Sequence, residues 1–118
     1  MNIQDLAKLL ILTGCFILSS CMEKQLPVNL SIELIDKGVK MNSFSTKEST
    51  VEVYLVTEEA IEGELLAKAI NASGLEISRA KVTLALQKDD AKLFTFNFDT
   101  NLDLEKVTKY QIDLRKSD

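Results

Sequence analysis

The sequence contains no histidine and no tryptophan, and it has one proline, four glycines and two cysteines in 118 residues. Without histidine, nucleophilic triads that depend on an imidazole base cannot form. Zinc sites built from histidine nitrogen and several cysteine sulfurs are excluded as well. Carboxylate pairs remain as candidate catalytic groups, but those of this chain, Glu58 with Glu59 and Asp89 with Asp90, are adjacent and do not converge on one substrate. The composition predicts no catalytic residue, no metal site, no cofactor and no small-molecule substrate.

The charge balance is mildly acidic, with 14 Lys and Arg against 18 Asp and Glu and a formal net charge of −4. Positive residues are interspersed with negative ones and form no basic stripe, so we expect no nucleic-acid partner. Asp89 and Asp90 are interpreted as a solvated turn, because no alternating carboxylates follow that could complete a calcium loop.

Long hydrophobic runs are also scarce, and the clearest one covers residues 9–18 (LLILTGCFIL). Ten residues are too few to cross roughly 30 Å of hydrocarbon, which needs about 20 in a helix. The run has the length of the apolar region of a secretory signal peptide, which ends in small residues before its cleavage site. Here Ser19, Ser20 and then Cys21 follow Leu18.

Leu18, Ser19, Ser20 and Cys21 resemble the lipobox of bacterial lipoproteins at all four positions. The resemblance implies that cleavage occurs before Cys21 and that this cysteine carries diacylglycerol and an N-acyl chain. Met22 is not the aspartate that in enterobacteria retains such proteins in the inner membrane, so the resemblance favours the periplasmic face of the outer membrane, with retention in the inner membrane as the alternative. An ordinary secretory signal that ends near a cysteine is the alternative.

Three segments follow from this interpretation. Residues 1–20 are a signal peptide that includes Cys15, residues 21–27 are a lipidated tether, and residues 28–118 are a β-sandwich domain. The mature chain then keeps only Cys21, which the lipid occupies, so no disulfide stabilises the domain although an oxidising compartment would permit one.

Most of the domain alternates apolar and polar residues with a period of two, which is typical of half-buried strands. The alternation predicts strands at 28–34, 51–55, 80–86, 94–98 and 110–114, with a further short strand at 75–78. The runs 80–86 and 94–98 flank a turn at 88–91, so we expect them to form a hairpin. The stripe of Phe94, Phe96 and Phe98 is assigned to the core, with an exposed binding face as the alternative.

One segment departs from the alternation and favours a helix over residues 58–70. Thr57 is its candidate N-cap, and Gly63 disfavours it by about 1 kcal/mol relative to alanine. The apolar residues at helical spacing are Ile61, Leu65, Leu66, Ala69 and Ile70. The predicted fold is all-β: a small transthyretin- or immunoglobulin-like sandwich with one short helix, preceded by the signal peptide.

Leu104, Thr108 and Tyr110 resemble the corner of Greek-key sandwiches such as fibronectin type III domains. In that corner the tyrosine hydroxyl bonds back to upstream backbone. An ordinary buried strand tyrosine is the alternative.

A second resemblance starts at Met41 and Asn42, continues through TVEVYLV at residues 50–56 and ends in the predicted helix at Leu65 and Leu66. This pattern is similar to the outer-membrane lipoprotein of type VI secretion systems. The resemblance implies a transthyretin-like sandwich with an added helix. It also implies a role as an adaptor that holds an inner-membrane protein of the secretion apparatus through loops of the sandwich.

The polar segment at 37–49 (KGVKMNSFSTKES) is predicted to be the partner-binding loop, because long loops in small domains are often functional. Lys40 and Lys47 give it positive charge, and Phe44 is its only aromatic residue. We expect these three residues to contact an acidic patch on the partner, with Phe44 folded onto the sandwich as the alternative. Two other functions remain open, those of a secretin pilotin and of a periplasmic lysozyme inhibitor.

Overall fold

Residues 25–116, the part of the chain that the computed structural model describes, form two packed β-sheets and one short helix. The strands are β1 (Val28–Leu30), β2 (Val39–Lys47), β3 (Thr50–Thr57), β4 (Ile61–Asn71), β5 (Glu76–Leu86), β6 (Ala91–Asn97) and β7 (Val107–Arg115). Helix α1 covers Ile32–Asp36, and a 3-10 turn covers Leu104–Lys106. The predicted all-β sandwich with one short helix is confirmed, although the helix lies elsewhere in the sequence.

The four-stranded sheet has the order β1-β7-β4-β5, and the three-stranded sheet has the order β2-β3-β6. All neighbouring strands are antiparallel except β1 and β7, which are parallel. Along the strands, the chain crosses between the sheets several times, so β3 and β6 come together although they are far apart in sequence.

The core lies between the two sheets and consists of alternate residues from most strands, as the period of two predicts. In the three-stranded sheet, Val53 of β3 pairs with Phe94 of β6, and both side chains point inward. Phe94, Phe96 and Phe98 are each at most 4% exposed, which confirms their assignment to the core. Tyr110 is 1% exposed and lies 5.2 Å from the Phe98 ring.

The predicted helix at 58–70 is wrong, because most of this segment is strand β4. β4 lies between β5 and β7, and side chains on both of its faces are covered, so the alternation that reveals a half-buried strand is missing. Gly63 has φ +151°, and a Cβ atom there would lie 2.8 Å from the Arg115 carbonyl oxygen. A glycine is therefore required where β4 approaches the end of β7.

The first predicted strand, 28–34, is right only as far as Leu30. Ser31 ends it and caps α1, because its side-chain oxygen accepts a hydrogen bond from the Leu34 backbone at 3.4 Å. Leu34 is the buried residue of this single helical turn, while Ile32 and Ile35 face solvent. The Ser31 cap thus begins a helical turn within a segment whose apolar residues have an apparent period of two.

The predicted hairpin between 80–86 and 94–98 is also wrong in its pairing. Both runs are strands, but β5 pairs with β4 and β6 pairs with β3. The turn at 87–90 therefore connects the two sheets instead of two neighbouring strands. The short strand predicted at 75–78 is the beginning of β5.

The Tyr110 side chain corresponds to the alternative of an ordinary buried tyrosine. Its hydroxyl makes no hydrogen bond with residues 25–116, and burial raises the pKa of Tyr110 above its ordinary value. The neighbouring Thr108 hydroxyl donates to the Ile70 carbonyl oxygen at 3.1 Å, which joins β7 to the end of β4.

Candidate functional site

The predicted loop at 37–49 is wrong, because Lys40, Phe44 and Lys47 all lie on strand β2. β2 is an edge strand that pairs only with β3 among the described residues. Lys40 lies near one end and Lys47 at the other, which places them about 20 Å apart at roughly 3.3 Å per residue. The structure therefore does not bring the two lysines together into one basic patch.

Phe44 lies opposite Val53, whose side chain points into the core. Residues paired across a sheet share a face, so Phe44 is on the inward side, yet it remains 39% exposed. β2 is the outermost strand, and β1, which faces it across the sandwich, has only three residues and does not cover it. Phe44 is therefore an exposed aromatic residue at the open side of the sandwich.

The free edge of β2 is partly occupied by the segment that enters the domain. The Thr46 amide donates to the Gln25 side-chain oxygen at 3.0 Å, and the Leu26 amide donates to the Thr46 hydroxyl at 3.2 Å. An irregularity in the pairing occurs around Asn42, between Met41 and Ser43. Bulges and blocked amides are features by which edge strands avoid pairing with other chains.

An apolar groove lies between β1, α1 and β2. Its volume is about 400 Å³, and its lining includes Leu30, Ile35, Val39 and Met41. Ile35 is 56% exposed, because α1 has one turn and turns only Leu34 inward. An exposed isoleucine beside an apolar groove is a feature of protein- and peptide-binding surfaces.

The groove extends from Val28, three residues after Gln25, to Ile35 and Val39 at the end of the domain opposite the entering segment. β2 runs from Val39, beside α1, to Lys47, beside Gln25, over nine residues. At about 3.3 Å per residue, its two ends are roughly 30 Å apart. We call the end beside Gln25 the tether end and the end beside α1 the distal end.

The two outer faces of the sandwich differ strongly in charge. On the four-stranded sheet, Lys68 and Asp113 form an ion pair at 2.7 Å, and Gln111 donates to Asp113 at 2.9 Å. Burial alone would raise the pKa of Asp113, but the hydrogen bond from Gln111 and the contact with Lys68 hold it below its ordinary value. The register adds further charged residues to this face, namely Glu64, Lys81, Lys109 and Arg115.

The outer face of the three-stranded sheet carries few charges. Glu52 is the charged residue near its middle, and Lys40 and Lys47 lie at its ends. Leu93 is 51% exposed on this face, beside the half-buried Tyr54. The other members of the face are uncharged: Ser43, Ser45, Thr50, Val56, Thr95 and Asn97.

The adjacent carboxylates have structural contacts. Asp90 accepts hydrogen bonds from the backbone amides of Ala91 at 2.9 Å and Gln87 at 3.4 Å, and Asp89 has φ +58° in the same turn. Glu58 lies 3.6 Å from Lys40 in an exposed ion pair. Within residues 25–116, no group of three acidic or cysteine side chains is placed to hold a metal ion.

No family model, no curated protein and no solved structure matches this chain. Cys21, Leu18, Ser19 and Ser20 lie outside the described residues, so the lipobox remains a prediction from the sequence. Between residues 25 and 116, no helix has the length and apolar character needed to cross a membrane.

Sequence reasoning missed the exposed apolar residues Ile32, Ile35 and Leu93. Ile32 lies within the predicted strand 28–34, where it is expected to point inward, and Ile35 and Leu93 lie directly beside predicted strands. A signal for the helix was present, since Ser31 precedes Glu33 and Leu34 in an N-cap pattern. No comparable signal shows that Leu93 lies on the outer face, because Leu93 directly precedes Phe94 and either could be the inward residue.

Proposed function

We propose that this chain is a lipid-anchored adaptor of the bacterial envelope. The lipid on Cys21 fixes it to the periplasmic face of the outer membrane, and the apolar groove binds an inner-membrane protein of a secretion apparatus. The observation that carries the proposal is the apolar groove, whose residues Ile35 and Val39 lie at the distal end while the tether enters at the opposite end.

The length of the tether supports this orientation. Cys21 and Gln25 are four residues apart, so an extended tether spans at most about 14 Å. Gln25 and Thr46 are thereby held close to the membrane, and the groove residue Val39 lies seven residues along β2 from Thr46, roughly 23 Å farther away. A lipid-anchored domain in this orientation presents Ile35 and Met41 to the periplasm.

The type VI secretion system is the specific apparatus proposed. The strand that carries the resemblance, TVEVYLV, lies within β3 as expected. The helix that the resemblance implies at Leu65 and Leu66 is strand β4 instead. The proposal for this apparatus therefore depends on the segment from Met41 to Val56 alone.

A secretin pilotin is the second candidate function, and the groove favours it specifically. A pilotin needs a hydrophobic groove for a peptide or lipid of a pore subunit, and the lining of this groove is mostly apolar. Loss of the chain would then abolish assembly of the pore, whereas loss of an adaptor would leave the pore assembled and uncouple it from its inner-membrane partner.

Replacing Cys21 by serine tests the anchor. We expect the Cys21→Ser variant to incorporate no labelled fatty acid and to accumulate as precursor, because the thiol is the acceptor of the lipid. Cys15→Ser is the matched control and leaves labelling unchanged, since Cys15 belongs to the removed segment. Normal labelling of Cys21→Ser would disprove the lipoprotein assignment.

Replacing Ile35 by aspartate tests the groove. Ile35 is 56% exposed, so the domain should stay folded, while a charge at the groove lowers recovery of the inner-membrane partner about tenfold, as for a central interface residue. Ile77→Asp is the matched control, because Ile77 is also exposed but lies on β5. The double variant Phe44→Ala, Lys47→Glu tests whether the neighbouring edge strand β2 also contributes to partner binding.

Recovery is measured by affinity purification of the tagged chain from membranes, with folding checked by circular dichroism. If Ile35→Asp and Ile77→Asp recover the same amount of partner, the groove is not the binding site. If the unmodified chain recovers no envelope protein, the adaptor function itself is wrong.

A further inference from the structure

The three-stranded sheet lacks a strand at the position opposite β5. β1 faces β2, so the two sheets are aligned at that side of the sandwich. Strands within a sheet are about 4.8 Å apart. The four-stranded sheet therefore extends one strand farther than the three-stranded sheet, and that strand is β5. The inward residues at the start of β5, Ser78, Ala80 and Val82, are only half-buried. Leu84 and Leu86, near the turn that joins the sheets, are 1% and 2% exposed. The three-stranded sheet therefore leaves the start of β5 partly uncovered toward the tether end, and we call the space there beside β6 the gap.

The backbone of β6 is unpaired on the side of this gap. The Thr57 amide donates to the Asp90 carbonyl oxygen and the Phe98 amide donates to the Ser49 carbonyl oxygen. Antiparallel strands alternate between residues that bond to the partner and residues that point away. The even-numbered residues of β6 therefore bond to β3, and the amides and carbonyls of Leu93, Thr95 and Asn97 point into the gap.

The two edges of the three-stranded sheet are protected to different degrees. The β2 edge has its irregularity at Asn42 and the Gln25 contact at Thr46. On the β6 edge, the Ala91 amide is bound by the Asp90 side chain, and the amides of Leu93, Thr95 and Asn97 have no such contact with residues 25–116. β6 is regular throughout its length and carries a single charged residue, Lys92. From Leu93 to Asn97 the edge is regular and uncharged, and such an edge is where an extended chain adds to a sheet.

The chain's own tether cannot fill the gap once the signal is removed. It leaves the domain at Thr46 on the β2 edge and has four residues from Cys21 to Lys24. Crossing from β2 to the position beyond β6 takes about 14 Å, or three strand spacings, which consumes the whole tether before any pairing begins.

A second copy of the chain fits the gap poorly when both copies are anchored. Pairing β6 antiparallel with β6 of another copy would place the two tether ends at opposite ends of the joint sheet. Each tether spans at most about 14 Å, so two such domains standing on one membrane could not both reach it.

We infer that the free edge of β6 accepts an extended segment of another protein, which becomes the fourth strand of the three-stranded sheet. Its inward side chains are small or apolar, because they pack on Ala80 and Val82, which already contact the core. Its outward side chains are uncharged, because they lie beside Leu93 and Thr95. This site is separate from the groove at β1 and β2 and depends on the proposed function only for the lipid anchor.

The backbone of Thr95 provides the test. Proline at this position removes the amide that points into the gap and leaves the bonds to β3 intact, so an edge strand tolerates it. Thr95→Ala is the matched control, since it loses the same hydroxyl but keeps the amide. The probe is a displayed library of random peptides of about ten residues, the upper range of strand length, selected on the full chain in detergent.

We expect selected peptides to bind Thr95→Ala as they bind the unmodified chain and to bind Thr95→Pro at least about tenfold more weakly, because proline removes a donor and its ring blocks the incoming strand. Hydrogen exchange on the unmodified chain provides a readout that does not require the proline variant to fold. The amides of Leu93, Thr95 and Asn97 should exchange quickly in the free protein and become protected when peptide binds.

Peptides that bind Thr95→Pro as tightly as Thr95→Ala, or that protect other amides, would overturn the inference. A selection that yields no peptide dependent on the Thr95 amide would overturn it as well. Protection of the same three amides by raising the protein concentration alone would assign the gap to a second copy and refute the choice of a different protein.

Discussion

The outer face of the four-stranded sheet differs in charge from the outer face of the three-stranded sheet. The first is charged, with Lys68 and Asp113 paired at 2.7 Å and further charges around them. The second is lined by hydroxyl and amide side chains around Tyr54 and the exposed Leu93. The centres of protein interfaces are depleted of charge and enriched in aromatic residues, so the composition of the second face is closer to that of a binding surface than the composition of the first.

The cause of the difference lies in the central strand of the larger sheet. β4 carries Leu66 and Ile70 on its outer side, and they are only 6% and 8% exposed although no further layer of the described residues covers them. In register, Leu66 lies beside Lys81 and Ile70 beside Lys109. Long charged side chains cover apolar surface with their aliphatic stems while their charged groups remain in water. The charges of this face thus help to bury its own strand.

The largest expected effect compares the two sides of β6. Phe96 is fully buried, so Phe96→Ala should cost about 3 to 5 kcal/mol of folding free energy. Thr95, its neighbour on the outer face, is exposed, and Thr95→Ala should stay within about 0.5 kcal/mol. Chemical denaturation measures both. Equal losses for the two variants would mean that the outer face is covered and is not a free surface.

A smaller effect compares one leucine from each outer face. Leu66→Ala should cost about 2 kcal/mol, the lower end for a buried leucine, because flexible lysine stems can partly close the cavity. Leu93→Ala, at 51% exposure, should change stability by less than about 0.5 kcal/mol. Thermal or urea denaturation of the two variants measures both changes in folding stability. If Leu93 were as costly as Leu66, the contrast between the faces would fail.

The smallest effect concerns the ion pair of the charged face. The pKa of Asp113 is lower in the folded chain than its ordinary value, so its contribution is present above the unfolded pKa of about 3.9 and is lost as pH falls through the lower folded value. Asp113→Asn should therefore be less stable by about 0.5 to 1 kcal/mol at neutral pH and equal to the unmodified chain in strong acid.

Lys40→Met is the control for that prediction, because the Lys40 and Glu58 side chains are 72% and 69% exposed. Exposed pairs of this kind contribute little, so the control should show no measurable change between pH 7 and pH 3. A constant difference between Asp113→Asn and the unmodified chain at all pH values would show that Asp113 acts through packing and not through its charge.

The sequence predicted the strands that have one buried face and failed where this condition does not hold. Val51, Val53 and Leu55 alternate because β3 has an inner and an outer side, and the prediction there is confirmed. β4 is covered on both faces, so its apolar residues also match a helical spacing, and the two patterns cannot be separated over so short a segment. The prediction for β2 failed for the opposite reason, because an edge strand with few buried residues has the sequence pattern of a polar loop.

Pairing and exposure were harder to predict than the strands themselves. Nothing in the turn at 87–90 indicates that it crosses between sheets, because a hairpin and a crossover can use the same residues. The candidate site depends on such long-range features: the groove needs β1 and β2 to face each other, and the gap needs β6 to lie at an edge. Of the three candidate contacts predicted from the sequence, Phe44 is 39% exposed, and Lys40 and Lys47 lie toward opposite ends of β2.

The parallel pairing of β1 with β7 has a mechanical consequence. The Tyr110 backbone amide donates to the Pro27 carbonyl oxygen and the Ser31 backbone amide donates to the Ile112 carbonyl oxygen, both at 2.9 Å. If a partner at the distal end pulls against the proposed anchor, the force acts along β1 and loads these bonds in parallel, so they break together and not one after another. In the proposed adaptor, the contacts of Gln25 and Leu26 with Thr46 lie nearest the anchor and would break before these bonds.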